Sequence, residues 1–266
     1  MGHDFLGASS LERISELTFR AQLPDGWQQG RGAFGGLVLG TLLRAIEAAE
    51  PDRSRAARTL SGDLCGPVLP GAAEVVVRVL RRGSNQSNLA AELRQGDAVL
   101  ATASAVLSAP RPQPEPPPLE AAPEVADWRT APVLPVAAPA GPTFAQHYEY
   151  RSLEPLPFLV ATGEARAAGW IREQQPLRAL DAPALVGRLD AWWPTLFHVG
   201  GQLRPIATIS FVAQILVDPA TLPPSEPLRY RARMAALHDG FFVELRELWH
   251  GERVVALNQQ TFAIIK

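Results

Sequence analysis

The sequence predicts an α+β protein made of two similar units, each an antiparallel sheet wrapped around one long helix. Each half of the chain reads as an apolar helical segment followed by a run of strands with short turns between them. Prolines separate the two halves, since 11 of the 25 prolines lie between Pro110 and Pro142. Placing two such units side by side is an economical way to bury both apolar faces.

The proline-rich stretch predicts a linker. Proline lacks a backbone donor and has a fixed φ angle, so closely spaced prolines exclude an interior helix or a central strand. They favour an extended, semi-rigid polyproline conformation. We therefore predict a surface linker over 109–142, an N-terminal unit over 1–108 and a C-terminal unit over 143–266.

Each unit is expected to contain one long helix. Residues Gly35 to Ala49 are apolar with a helical period, and Glu50-Pro51 ends the segment. In the second half the helix is expected within 182–197. The strand-like runs that follow are 59–64, 74–80, 89–94 and 98–107 in the first half, and 207–217, 228–235, 241–248 and 253–265 in the second.

The spacing of matching residues supports an internal repeat. Gly96 and Gly251 mark the last turn of each half and are 155 residues apart. Thr59 and Thr208 mark the first strand after each helix and are 149 residues apart. The difference of six residues is expected in the turn before the second strand of the C-terminal unit.

The composition excludes several classes of protein. With 25 Lys+Arg against 27 Asp+Glu, the net charge of −2 gives no bulk electrostatic attraction to nucleic acid or an anionic membrane. The single cysteine, Cys65, excludes an internal disulfide and is expected as a small core residue on a strand. The five histidines are not at metal-ligand spacing, so we expect no metal and no cofactor.

The N-terminal sequence and the hydropathy pattern predict a cytoplasmic protein. The segment MGHDFLGASS lacks the basic start and the apolar stretch of a signal peptide. No apolar run reaches the roughly 18 residues needed to span a bilayer. A single cysteine also fits a reducing compartment.

Five segments carry a resemblance to a known family. LERISELTFRAQLP and GRGAFGGLVLGTLLRAIEAAEP, with its FGG helix start, resemble the opening of the acyl-CoA thioesterase II family, the TesB-like double-hotdog thioesterases. RLDAWWPTLF, RPIATISF and VVALNQQTF resemble the segments that carry an aspartate, a threonine and a glutamine. The resemblance implies a double hotdog, that is, two tandem hotdog units, and hydrolysis of acyl-CoA to free acid and CoA in fatty acid metabolism.

The resemblance places the catalytic group on Asp190, Thr208 and Gln260 of the C-terminal unit. A carboxylate and two neutral polar side chains are able to hold a water and remove its proton without a covalent intermediate. Asp190 is the expected general base, while Thr208 and Gln260 position the water. When Gly96 is matched with Gly251, Ala105 is the residue of the first unit that is equivalent to Gln260. Because Ala105 is not polar, we predict a single reaction centre, in the C-terminal unit.

The sequence departs from the family pattern after the threonine. Two and three positions beyond Thr208, where the family has Asp-His, this chain has Ser210 and Phe211. Strand alternation predicts that Thr208 and Ser210 share a face, so either hydroxyl is a candidate. Gln259 and Gln260 are adjacent and must face opposite sides of the sheet, which leaves the identity of the catalytic glutamine open.

Substrate contacts are expected at the helix start and beside the threonine. We predict Gly35, Gly36 and Ser210 as substrate-binding residues. The two glycines allow another backbone to approach closely. Backbone N–H groups at a helix start are suited to stabilise the oxyanion of the reaction, although the sequence does not identify the donors.

Two alternative functions remain open at this point. The departures at Ser210 and Phe211 fit a hotdog protein that binds acyl groups without catalysis. A hotdog enoyl-thioester hydratase or dehydratase is less favoured, because no aspartate is followed by histidine five residues later. For the main hypothesis the substrate is a small-molecule acyl thioester, most simply acyl-CoA, of a chain length that the sequence does not determine. Unpaired sheet edges also predict a homo-oligomer, a dimer or larger.

Overall fold

The structure is a computed structural model that describes residues 4–115, 117, 120–136, 141–152, 154–157, 159–200 and 205–265. The predicted units and linker also include residues 1–3, 116, 118, 119, 137–140, 153, 158, 201–204 and 266, which lie outside the described residues. The helices are α1 Phe5–Ala8, α2 Gly35–Ala49, α3 Ala182–Asp190 and α4 Phe197–Gly200.

The two long helices follow from local sequence signals. Helix α2 has the predicted bounds, and Glu50, which precedes Pro51, is extended rather than helical. Helix α3 begins after Asp181, whose carboxylate accepts the Ala184 N–H. The helix predicted within 182–197 is present as α3, which ends at Asp190. Pro194 disfavours helical geometry in the residue before it, so only the short α4 follows.

The predicted strands are present, with small differences at their ends. The strands are β1 Leu11–Arg13, β2 Thr18–Leu23, β3 Gln28–Gln29, β4 Gly32–Ala33, β5 Ala56–Leu64, β6 Gly71–Arg82, β7 Gln86–Gln95, β8 Ala98–Ser108, β9 Tyr148–Arg151, β10 Arg166–Glu173, β11 Ile206–Ile215, β12 Leu228–His238, β13 Phe241–His250 and β14 Arg253–Ile264. The sequence pattern did not predict β1–β4, which precede the long helix of the first unit, or β9 and β10, which precede that of the second.

Within the described residues, twelve strands form one antiparallel sheet in the order β1-β2-β6-β7-β8-β5-β11-β14-β13-β12-β10-β9. The two halves of the sheet join where β5 pairs with β11, with Ser61 opposite Val212. Helix α2 packs against β5–β8, α3 packs against β11, β13 and β14, and the two helices pack against each other. The apolar core therefore lies between the sheet and the helix pair.

The strand registers support the internal repeat and correct one of its matches. Leu60 pairs with Ala105 in the first unit, and Phe211 pairs with Gln260 in the second. The predicted match of Ala105 with Gln260 therefore agrees with a spacing of 155 residues. The match of Thr59 with Thr208 is wrong, since the register puts Ser210 at the position of Thr59.

A β-bulge occurs at the same place in both units. The register shifts between Ala57 and Thr59 in β5 and between Thr208 and Ser210 in β11. The first strands of the two units are thus offset by 151 residues, against 155 for the later strands. The extra length before the second strand is four residues rather than six.

The proline-rich segment lies against the C-terminal unit. The described residues of 109–142 contain no helix and no strand, apart from a bridge between Val133 and Arg151. The Pro123 carbonyl accepts from Arg229, and the Ala126 carbonyl accepts from the Trp170 indole. The unit and linker boundaries at 108 and 142 stay predictions.

Cys65 does not lie in the core. It follows the end of β5 and is exposed, so its prediction as a small core residue is wrong. Among the helices that the structure describes, none is both long and apolar enough to cross a membrane.

Candidate active site

Asp190 is the last residue of α3, and its side chain lies beneath the inner face of the sheet. The residue is only 7% exposed. A carboxylate removed from water is costly unless donors or a countercharge surround it. Strands β13 and β14, which pack against α3, and helix α2 supply both.

Gln260 joins Asp190 to Thr208. Its Nε2 atom donates to Asp190 Oδ1 at 2.7 Å and to Thr208 Oγ1 at 2.6 Å. The two strands concerned, β14 and β11, are neighbours in the sheet, and Gln260 is fully buried. The structure therefore brings the three predicted catalytic side chains into one cluster.

Strand alternation decides which of the two adjacent glutamines faces Asp190. Gln260 points inward, whereas Gln259 is exposed on the outer face. Asn258, two residues earlier, also points inward, but its Nδ2 atom donates to the Val212 carbonyl. Of the three, Gln260 is the one hydrogen-bonded to the carboxylate.

Ser210 does not share a face with Thr208, so that prediction is wrong. Thr208 pairs with Phe262, and Phe262 is buried on the inner face with Gln260. Ser210 pairs with Thr261 and, on its other side, with the exposed Asp63. The bulge between Thr208 and Ser210 adds a residue and resets the alternation. Ser210 therefore faces away from the cluster, which gives no support to its prediction as a substrate-binding residue.

Gly35 and Gly36 lie in the first turn of α2, against the Asp190 side chain. A Cβ atom on Gly35 would come within 2.9 Å of Asp190 Oδ2, and one on Gly36 within 3.0 Å of Asp190 Cβ. The close approach predicted from these glycines is present, but the approaching group is a carboxylate side chain rather than a backbone. At a helix start, the amide N–H groups lack intrahelical partners and favour an anion.

Burial raises the pKa of Asp190 above its ordinary value. Three neighbours oppose this rise: the Arg246 guanidinium, the hydrogen bond from Gln260 and a hydrogen bond from the Gly36 amide. The carboxylate of Glu244 raises the pKa further. A carboxylate with a raised pKa is a better general base than an ordinary surface aspartate.

Sequence reasoning missed two charged residues beside Asp190. Glu244 and Arg246 are both fully buried on β13, and Glu244 lies directly opposite Gln260 in the sheet. The signal was present in FFVELREL, where the inward positions alternate as Phe242, Glu244, Arg246 and Leu248. Charges at inward positions of an apolar strand indicate a paired or functional site.

The arrangement is suited to removing a proton from water. The Oε1 atom of Gln260 is buried and has no hydrogen-bond partner among the described residues. Gln260 therefore keeps one acceptor that none of the described protein groups uses. Across the described part of the chain, no group of three or more His, Cys, Asp or Glu side chains is placed to hold a metal ion.

Models of the acyl-CoA thioesterase family match most of the chain. The N-terminal domain of that family matches residues 23–108, and its C-terminal domain matches residues 116–264. No curated protein sequence matches the chain.

Solved structures share the fold over the full length. A hot dog fold protein of unknown function from Alicyclobacillus acidocaldarius is 23% identical, with a TM-score of 0.90 and coverage of 100% of this chain and 99% of its own. A putative thioesterase II from Thermobifida fusca YX is 21% identical, with a TM-score of 0.86 and coverage of 98% and 97%. The acyl-CoA thioesterase II TesB2 of Mycobacterium marinum is 15% identical, with a TM-score of 0.77 and coverage of 98% of both chains.

These matches confirm the predicted double hotdog, with its two tandem units on one sheet. They also confirm the predicted class of reaction, since both family domains are described as acyl-CoA thioesterase domains. The chain belongs to the acyl-CoA thioesterase family and is a thioester hydrolase.

Proposed function

We propose that this hydrolase cleaves acyl-CoA with a water molecule that Asp190, Gln260 and Thr208 hold and activate. The observation that carries the proposal is the pair of hydrogen bonds from Gln260 Nε2 to Asp190 Oδ1 and Thr208 Oγ1. These bonds link three side chains from α3, β11 and β14 beneath the inner face of the sheet.

The donor and acceptor pattern assigns a role to each group. Both N–H bonds of Gln260 are used, so its Oε1 atom is the acceptor left for water. Thr208 accepts from Gln260, which leaves the proton of its hydroxyl available to a water or a substrate oxygen. Asp190 accepts a hydrogen bond from Gln260. This bond stabilises the ionised carboxylate, which is the form that a general base requires.

The proposed reaction needs no covalent enzyme intermediate. The water oxygen attacks the thioester carbonyl carbon while Asp190 takes one of the water's protons. The tetrahedral oxyanion then re-forms the carbonyl, and the carbon–sulfur bond breaks to release the CoA thiolate. Asp190 returns its proton to the sulfur, so the products are free acid and CoA.

The start of α2 is our candidate for oxyanion stabilisation. Gly35 supplies a backbone N–H group at the positive end of the helix dipole, next to Gly36, whose own N–H donates to Asp190. Removing one oxyanion-hole donor costs roughly 3–4 kcal/mol in well-measured enzymes. Because neither glycine has a side chain, Asp190 lies directly against the start of α2.

One reaction centre per chain is expected, because the first unit lacks the polar set. At the positions that correspond to Thr208 and Gln260, it has Ala57 and Ala105, both buried. We propose that the first unit instead contributes helix α2 and apolar walls to the acyl pocket.

The direct test is release of free thiol from acyl-CoAs of graded chain length. We expect turnover with at least one length, and the dependence on length will report the depth of the pocket. Enoyl-CoA is the control substrate, since loss of its conjugated double bond without thiol release would identify a hydratase instead. Acyl carrier protein thioesters in the same assay identify the carrier.

The rate is expected to depend on pH through Asp190. The base acts as a carboxylate, so kcat/KM falls as the pH drops through the folded-state pKa of Asp190. Burial raises that pKa, and the acidic limb therefore lies above the ordinary aspartate value of 3.8. A profile of kcat/KM against pH checks this, and a flat acidic limb down to that value contradicts it.

Replacing Thr208 tests the effect of the bulge. Thr208→Val keeps the shape of the side chain and removes its hydroxyl, so we expect kcat to fall about 10-fold through poorer positioning. Ser210→Ala is the matched control, because Ser210 lies two residues away on the outer face. A larger loss in the Ser210 variant would contradict the assignment of faces.

We also propose the finer biological setting. The hydrolase is expected to act in the cytoplasm, in fatty acid metabolism, as a homo-oligomer. The exposed outer strand β1, at one end of the sheet, is the edge that such assembly would cover, because the opposite edge strand β9 is mostly buried and bridged by Val133. Measuring the mass of the protein in solution decides the oligomeric state.

A further inference from the structure

The buried pair of Glu244 and Arg246 lies between the end of α3 and the sheet. Arg246 donates through Nε and Nη2 to Glu244 Oε2 at 3.0 and 2.9 Å. Through Nη1 it donates to the backbone carbonyls of Leu189, Asp190 and Trp192 at 3.2, 3.3 and 3.3 Å. These carbonyls are at or just beyond the end of the helix, where oxygens lack intrahelical partners. Arg246 thus holds the backbone of Asp190 in place.

The same guanidinium approaches the Asp190 carboxylate without hydrogen-bonding to it. Arg246 Nη1 is 4.0 Å from Asp190 Oδ1, which is too long for a hydrogen bond. A direct bond would occupy a lone pair that the base needs for water. Glu244 and the three carbonyls instead occupy the donors of Arg246, so Asp190 receives the positive charge at a distance.

Glu244 extends this arrangement to the segment that follows α3. Its Oε1 atom accepts from both the backbone N–H and the hydroxyl of Thr195, each at 2.6 Å. Thr195 is fully buried and lies five residues beyond Asp190. The Glu244 carboxylate therefore holds both Arg246 and the segment at Thr195 that follows Asp190 in the chain.

We infer that Arg246, held by Glu244, is a positioning residue that sets the orientation and the proton affinity of Asp190. The inference rests on the proposed function, in which Asp190 is the base. The Arg246–Glu244 ion pair thus affects catalysis through Asp190, in addition to stabilising the core.

The two partners act on Asp190 with opposite signs. The charge of Arg246 lowers the pKa of Asp190, and the charge of Glu244 raises it. Among the described residues, the other titratable groups facing Asp190 are the phenols of Tyr148 and Tyr150 on β9 and of Tyr230 on β12, whose pKa values burial raises above the ordinary value. These phenols are neutral at working pH, so the charge balance at the base depends on Arg246 and Glu244.

Charge-neutralising variants of each partner give the sharpest test. Arg246→Gln is expected to move the acidic limb of kcat/KM to higher pH, and Glu244→Gln to lower pH, each by about 1 pH unit. In Glu244→Gln, Arg246 is also free to turn onto Asp190, so kcat is expected to fall as well. Arg246→Lys keeps the charge, and its limb is expected near that of the wild type with a lower kcat.

A second buried ion pair provides the matched control. Arg188 donates through Nε and Nη2 to the carboxylate of Glu173, and the pair is as deeply buried as Arg246–Glu244. Glu173→Gln therefore removes a buried carboxylate partner without touching the carbonyls at the end of α3. It is expected to lower Tm and to leave the pH limb in place.

A measurement without turnover keeps the inference testable if Arg246→Gln is inactive or if the proposed function fails. Asp190→Asn is introduced into the wild type, into Arg246→Gln and into Glu244→Gln. The Tm difference between each resulting protein and the protein without Asp190→Asn is then measured as a function of pH. This difference grows from the unfolded-state pKa of aspartate upward and levels off at the folded-state pKa of Asp190. The levelling point should be higher in Arg246→Gln and lower in Glu244→Gln. If Arg246→Gln does not fold, Arg246→Lys is compared with Glu244→Gln instead.

The inference is supported if the acidic limb and the levelling point move to higher pH in Arg246→Gln and to lower pH in Glu244→Gln, and do not move in Glu173→Gln. Equal displacements, displacements of the same sign, or a displacement of similar size in Glu173→Gln overturn it. Failure of the proposed function has a different signature, which is wild-type protein with a normal Tm and no thiol release from any acyl-CoA.

Discussion

Asp190→Asn is expected to lower kcat at least about 100-fold while the fold survives. The amide has nearly the shape of the carboxylate, and its oxygen still accepts the hydrogen bond from Gln260. It has no basic lone pair for the proton of the attacking water, so the chemical step loses its general base. Thiol release from acyl-CoA, with circular dichroism to check folding, measures both parts of the prediction.

The same variant is expected to be more thermostable than the wild type at neutral pH. The folded-state pKa of Asp190 is raised above 3.8, chiefly by burial. Its contribution to stability is therefore fully present below the unfolded-state pKa and is lost as the pH rises through the folded-state pKa. Asn carries no charge at any pH and avoids that loss. The Tm advantage should disappear below the ordinary aspartate pKa.

Asp181→Asn is the matched control for both measurements. Asp181 precedes α3 at its other end and caps it by accepting the Ala184 N–H, a role that Asn also fills. We expect nearly unchanged kcat in this variant. Near-wild-type turnover in Asp190→Asn, at a normal Tm, would remove Asp190 as the base.

Much of the fold follows from patterns that are local in the sequence. The helical period of Gly35–Ala49 and the stop at Glu50-Pro51 predict α2 to the residue. The alternating runs predict eight strands, because each has one buried face and one outer face. Strand β2, with its buried Phe19, Ala21 and Leu23, has the same alternation but stands outside the repeat on which the prediction relied.

The errors in the site arise where tertiary structure overrides alternation. A bulge is a change of register between two strands, so the residues of one strand cannot reveal that Ser210 turns outward. The partners of Asp190 show the same limit. Glu244 lies opposite Gln260 only once β13 and β14 pair, and Arg246 meets the end of α3 only after the sheet closes over the helix.

Gln260→Leu is expected to lower kcat about 100-fold, because one amide serves the base, the hydroxyl and the water at once. The substitution removes the donor to Asp190 Oδ1 and to Thr208 Oγ1, together with the free Oε1 acceptor. Losing the hydrogen bond also raises the pKa of Asp190 further, so the acidic limb should move to higher pH. Kinetics with acyl-CoA across the pH range measure both effects.

Gln259→Leu separates this role from a general effect of altering the strand. Gln259 is adjacent on β14, but its side chain is exposed on the opposite face, and surface changes of this kind usually alter stability by less than about 0.5 kcal/mol. The Gln260 variant, in contrast, leaves a buried carboxylate with one donor fewer, which costs about 1–3 kcal/mol. Equal losses of kcat in the two variants would contradict the site, because only an inward amide reaches the base. A large loss confined to Gln260→Leu is the result that a water-activating cluster requires.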